Sequence, residues 1–246
     1  MSLDGQRIVI VGGSAGIGEA TARAFAAAGA QVTITGRAKQ RLDAAAARIG
    51  YPVEVGELDA TDAAAVDEFF GPAQAIDHLV LAASPGAVGS GPFADLDEAA
   101  LRQAFDGKFF AYVKVLQAAR PSLQAGGSVT IVSAVSARAA YPGAAGLAAV
   151  NGALEAMVPT LAVELAPVRV NAVSPGVIDT PWWQGLPEEQ RAAFFQTVAA
   201  ASPVRRIGTP EDVAQAIVYL AGAGFVTGTV LECAGGSNLT VGAAAS

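Results

Sequence analysis

Short apolar runs alternate along this chain with longer, alanine-rich segments whose apolar positions recur at helical spacing. The runs are RIVIVG (7–12), QVTITG (31–36), HLVLAA (78–83), SVTIVS (128–133), RVNAVS (169–174) and GTVLEC (228–233). Runs of this length, rich in Val and Ile, read as strands buried on both sides, and the segments 16–29, 38–49, 96–120 and 144–165 read as helices. Repeated strand–helix alternation predicts an α/β fold with a parallel sheet covered by helices on both faces. Right-handed crossovers then make the sheet doubly wound. Ligands of such sheets bind beyond the carboxyl ends of the strands, so the loops after Val11, Thr35, Leu81, Val132 and Ser174 should frame a site.

The first of these loops is the most specific. IVIVGGSAGIGEATARAFAAAGA runs strand, glycine turn, helix within the first thirty residues. Gly12 permits the tight turn, Gly16 lets backbone approach a phosphate, and Gly18 lets helix pack closely on strand. The helix N-terminus then turns free N–H groups and a partial positive charge towards a pyrophosphate. A dinucleotide is the expected ligand.

Composition narrows the partners. At 246 residues, with no linker, charge block or repeat, the chain reads as one domain over 1–246. A net charge of -7 with only 15 Lys+Arg gives no basic stripe, so no nucleic-acid partner is expected. No membrane partner is expected either: the richest apolar stretch, 139–166, is diluted by Ala and Gly and interrupted by Asn151, Glu155, Pro159 and Glu164. Cys233 is the sole cysteine and suits a reducing cytoplasm. The sole histidine, His78, stands at the head of an apolar run and reads as structural. The first apolar run starts at residue 7, and no signal peptide is expected.

The glycine turn resembles that of the short-chain dehydrogenase/reductase family, Thr-Gly-x-x-x-Gly-x-Gly, with Val11 in place of Thr. The resemblance extends over essentially the whole chain and implies that Gly12, Ser14, Ala15, Gly16, Ile17 and Gly18 cradle the cofactor phosphates, with Ala82 beside them. LDATD is similar to the family's Asp-Val segment, implying that Asp59 and the Ala60 backbone hold the adenine. VRVNAVSPGVIDTP is similar to its Pro-Gly motif, implying that Pro175 and Gly176 shape the floor while Ile178 and Thr180 hold the nicotinamide carboxamide. Residues 177–206 correspond to its substrate lid. At the end of the second strand Gly36 stands where an NAD-selective carboxylate would be, followed by Arg37. An arginine there pairs with a 2′-phosphate, so NADP(H) is expected over NAD(H).

The family's acid/base chemistry, however, is missing from its usual positions. The resemblance implies a Tyr whose proton is used, a Lys four residues on that lowers its pKa, a Ser that orients the substrate oxygen and an Asn that supports a water relay. Tyr and Lys at i and i+4 share a helix face, and an ammonium beside a phenol favours the phenolate. Here the Ser position falls on Ala134, the Tyr on Leu147, the Lys on Asn151 and the Asn on Lys108. Ser128 and Tyr141 have the right separation, but Ala145 stands where their Lys would be.

Lys108 and Tyr141 are the candidate replacements, the first as a partly desolvated ammonium and the second as a loop phenol. Ser133 and Ser136 flank Ala134, and strand alternation predicts that both point away from it. Trp182, Trp183, Phe194 and Phe195 read either as the lining of an apolar pocket or, for the phenylalanines, as the buried stripe of a helix. Pro159 is expected to bend the helix that contains it. The resemblance also implies a homotetramer or homodimer. Two readings result: an oxidoreductase for a small, largely apolar carbonyl or alcohol, or a cofactor-binding module without turnover.

Overall fold

A computed structural model describes residues 3–71 and 75–239. Its strands are β1 (Arg7–Val11), β2 (Gln31–Gly36), β3 (Glu54–Glu57), β4 (Ile76–Leu81), β5 (Leu123–Val132), β6 (Arg169–Pro175) and β7 (Val230–Cys233). They form one sheet in the order β3-β2-β1-β4-β5-β6-β7, and every pairing is parallel. The order reverses between β1 and β4, and ligands of such sheets bind at that reversal.

The helices are α1 (Gly16–Ala27), α2 (Lys39–Ile49), α3 (Ala63–Phe70), α4 (Glu98–Ala104), α5 (Ala111–Ala119), α6 (Ala145–Glu164), α7 (Glu188–Ala201) and α8 (Pro210–Gly222). Their starts follow local chemistry. Asp62 caps α3 and Asp97 caps α4 by accepting from N–H groups of the first turn, and Thr209 with Asp212 forms a capping box on α8. Gly50 closes α2 in the left-handed conformation.

Two apolar layers cover the sheet, as the alternation predicted. On one face Val66, Phe70, Tyr112, Leu116, Leu154 and Val158 from α3, α5 and α6 meet Val9, Leu79 and Ile131. On the other, Phe25, Leu42, Val213 and Ile217 from α1, α2 and α8 meet Ile8, Ile10 and Ile34. His78 is buried at the seam, stacked on Phe25 and bonded through both ring nitrogens to Ser128 Oγ at 2.8 Å and Gln6 Oε1 at 2.9 Å. It is structural.

Two expectations need correction. β3 and α3 form an extra strand and helix beyond the six runs, because Glu54 and Glu57 face outwards on an edge strand of four residues and blur its apolar signal. The segment 96–120 is not one helix: it starts at Glu98, and a π-helical turn at Phe105–Phe110 separates α4 from α5. α6 runs its full 20 residues through Pro159, and it is long and apolar enough to cross a bilayer by composition. It is nonetheless a helix laid on the sheet, with Leu154 and Val158 fully buried and Asn151 and Glu155 turned inwards.

Candidate functional site

The glycine turn has the shape its residues imply. Gly12 has φ of +93°, and a Cβ there would collide with the Ala83 backbone; a Cβ on Gly18 would collide with the Gly12 carbonyl. Gly16, at φ of +54°, brings the turn against Thr180, 3.2 Å from where its Cβ would stand. The N-cap of α1 is Ala15, which has no side chain to accept from the first N–H groups. Those donors therefore point outwards from a cradle of backbone, an arrangement suited to a pyrophosphate. A dinucleotide fits this chain.

Around the turn the predicted cofactor residues come together. Ala82 N donates to Val11 O at 2.8 Å, tying the end of β4 to the turn. Ser14 lies across from Gly36 at the end of β2. Arg37 follows, exposed, and its charge together with bonds from Thr61 holds the Asp59 carboxyl below the usual carboxylate range, the Thr61 bonds being the larger cause. Ala60 is buried beside them. A second arginine was not signalled by any motif: Arg48 of α2 reaches the Ser14 carbonyl at 3.5 Å and is held by Glu19 at 2.7 Å.

Beyond the turn lies a cavity of about 490 Å³ lined by Ile17, Pro175, Gly176, Ile178 and Thr180 and by Lys108, Ala134, Tyr141, Leu147 and Asn151. Both candidate donors thus reach one space with the phosphate turn at its edge. Trp182, Trp183 and Phe194 close it, with ring centroids 4.4 Å apart for the tryptophans and 4.9 Å for Trp183 with Phe194. Trp183 Nε1 donates to Ile178 O at 2.9 Å, which fixes the pair over the cavity. α7 has no buried residue, so Phe194 and Phe195 are not a core stripe; Phe194 lines the cavity and Phe195 packs on Trp183.

Lys108 occupies the π-helical turn, a device that often marks functional positions because the extra residue redirects a side chain. Gly107 allows the turn to press on Pro85, where a Cβ would stand 2.9 Å from Pro85 Cβ. The Lys108 side chain is 8% exposed. Its Nζ donates to Asn151 Oδ1 at 2.7 Å and to Ser133 O at 3.3 Å. Burial lowers its pKa to about 8, against an upward pull from Glu155.

The amide of Asn151 extends this chain. Its Nδ2 donates to Leu147 O at 2.9 Å and to Ser136 Oγ at 3.3 Å. The expectation for Ser136 is therefore corrected: it lines the cavity with Ala134. Strand alternation does not apply, since β5 ends at Val132 and Val135–Ala137 is a 3₁₀ turn. Ser133 also borders the cavity, but its hydroxyl bonds Glu155. Tyr141, 37% exposed, stands at the mouth. Ala134 and Leu147 present only hydrocarbon.

The profile of the family described as enoyl-(acyl carrier protein) reductase matches residues 11–238. A short-chain dehydrogenase/reductase of Stachybotrys chlorohalonatus is 31% identical over 97% of this chain and 99% of that one. The 3-oxoacyl-[acyl-carrier-protein] reductase of Thermotoga maritima is 33% identical over 96% and 99%. Among solved structures, a small-chain dehydrogenase in complex with NADPH superposes with a TM-score of 0.82 at 30% identity, covering 96% of this chain and 100% of that one.

Proposed function

This chain belongs to the short-chain dehydrogenase/reductase family of oxidoreductases, and from that premise we propose that it interconverts the carbonyl and alcohol of a small, largely apolar molecule with NADP(H), using Lys108 as proton donor and acceptor. The observation that carries the reading is a buried amine on the wall of a largely apolar cavity that also borders a glycine turn suited to phosphate. Bound NADPH would supply hydride to the carbonyl carbon. The Lys108 ammonium supplies the proton that the oxygen then needs, and regains one from water once the alcohol leaves. Oxidation runs the same transfers backwards, with the neutral amine taking the hydroxyl proton.

The remaining residues orient and enclose. Ser136 Oγ, accepting from Asn151, keeps its own proton to offer a substrate oxygen. Trp182, Trp183 and Phe194 exclude water and favour a flat or alicyclic apolar body. Arg37, with no carboxylate at Gly36, supports the 2′-phosphate of NADP(H). Phe110 and Val163 leave apolar surface exposed at the end of the π-helical turn and on α6, which supports a homodimer or homotetramer. The lone Cys233 fits the cytoplasm.

The test is NADPH binding by calorimetry followed by absorbance loss against ketones, aldehydes and quinones. Turnover that disappears in Lys108→Met and persists in Tyr141→Phe supports the reading. Loss only in Tyr141→Phe transfers the role to that phenol. Binding with no oxidation across the panel leaves a cofactor-binding module instead.

A further inference from the structure

Behind Lys108 lies a carboxylate that the proposed reaction does not use. Glu155 is 8% exposed and stands four residues, one helical turn, after Asn151 on α6. Its Oε1 accepts from Ser133 Oγ at 2.7 Å, while the carbonyl of the same Ser133 accepts from Lys108 Nζ at 3.3 Å. Its Oε2 accepts from Arg138 Nε at 2.8 Å, and Arg138 Nη1 reaches Glu232 Oε1 at 3.3 Å. Charges thus alternate from the cavity wall outwards: Lys108, Glu155, Arg138, Glu232.

The depth of Glu155 calls for a reason. Removing a carboxylate from water costs several kcal/mol unless cations and donors replace the solvent. Arg138, with a side chain 45% exposed, could have met an acid at the surface, as it does with Glu232. Burying the acid one turn after Asn151 instead leaves only Ser133 as the link between its negative charge and the Lys108 amine. Other groups around that amine do not supply it. No Asp or Glu lines the cavity among the described residues. Tyr141 lies at the mouth, and Tyr112, one turn after Lys108, gives its hydroxyl to Ala83 O at 2.6 Å.

Resting on the reading above, we propose that Glu155 is a positioning residue for the reaction: it provides the buried counter-charge that keeps the Lys108 amine protonated, with Ser133 as the bridge and Arg138 sharing the carboxylate. Burial and Glu155 act on Lys108 in opposite senses, and the balance leaves the amine near pH 8. Loss of the carboxylate lets burial win. Loss of Arg138 leaves the carboxylate whole for Lys108.

The chain has three lysines, Lys39, Lys108 and Lys114, so a ¹³Cε-lysine-labelled protein, with Lys108→Met to assign the signal, reads the Lys108 titration directly and without cofactor or substrate. Glu155→Gln, which keeps an oxygen for Ser133, should lower the midpoint by about one pH unit. Arg138→Gln should raise it. A cluster that merely loosens would hydrate the amine and raise the midpoint in both variants. An unchanged or raised midpoint in Glu155→Gln overturns the proposal, and so does an unchanged or lowered one in Arg138→Gln, a refutation that stays open even if Glu155→Gln does not fold. Midpoints that move as expected in a protein without turnover would retain the wiring of Lys108 and discard the oxidoreductase reading. In an active protein the high-pH limb of kcat moves with the midpoint while KM stays.

Discussion

Lys108 of the π-helical turn and Asn151 of α6 join across the cavity wall through one hydrogen bond. The amine comes from the π-helical turn and the amide from α6, and they meet at 2.7 Å between Nζ and Oδ1. The contact sets one amine and one amide together at the cavity wall. Leu147 and Ala134, which line the same cavity, are aliphatic.

Lys108→Met is expected to lower the rate of carbonyl reduction by about 100-fold or more, the usual worth of a positioned proton donor. NADPH affinity should change little, because the phosphate turn is built from other residues. Stopped-flow kinetics and calorimetry on one preparation separate the two. Equal loss of binding and rate would remove Lys108 from the chemistry.

The pH dependence follows from the Lys108 value of about 8. Below it the amine is charged and donates; above it the fraction able to donate falls tenfold per pH unit. Reduction should therefore decline above about pH 8, and alcohol oxidation, which needs the neutral amine, should rise towards that pH and then level. Profiles in both directions check the sign, and parallel profiles would contradict it.

Arg37→Ala should weaken NADPH binding by roughly tenfold or more, in line with about 1.5–3 kcal/mol for a hydrogen bond to a charged group, and leave NADH within about twofold. Titration calorimetry with both cofactors reads this. A matched loss for NADH would mean that Arg37 acts on something other than the 2′-phosphate.

Gly12→Ala should abolish cofactor binding and destabilise the fold by about 1–3 kcal/mol, because the residue sits at φ of +93° and its Cβ would collide with Ala83. Urea unfolding and NADPH titration test it. Wild-type values in both would show that the turn tolerates a side chain.

His78 is held neutral: burial, with Arg169 adding to it, lowers its pKa from 6.5 to about 4. Between those values the unfolded chain binds the proton and the folded chain does not, so stability is full above about pH 6.5 and declines as pH falls towards 4. The whole loss is on the order of 3 kcal/mol. Urea midpoints at pH 7.5 and 4.5, compared with those of His78→Leu, isolate it; identical acid losses would assign the decline to other groups.

Much of this protein is written locally. Ile8, Ile10, Val32 and Ile34 alternate in runs that only a buried parallel sheet satisfies, and Gly12, Gly16 and Gly18 permit a turn that side chains would block. Lys108 could be placed near the cavity by its register with the resembled pattern, and Tyr141 by its position on the loop after β5. What stayed illegible has a common cause. The β3 strand presents glutamates on a sheet edge, and the π-helical turn looks like ordinary helix in its apolar period.

The contacts that decide the chemistry join residues far apart in the chain: Lys108 with Asn151 across 43 positions, Asn151 with Ser136 across 15, Ser133 with Glu155 across 22. Periodicity states which face of a helix is apolar, but not which polar group on a neighbouring element it will meet. The amino-acid order alone determined the sheet, its two covering layers and the place where a dinucleotide fits, since these depend on burial and backbone freedom. Only packing of the π-helical turn and α6 against the end of β5 decided where the amine lies, what it bonds and which carboxylate stands behind it, because hydrogen bonds and buried charges depend on distances of a few ångströms that sequence spacing does not set.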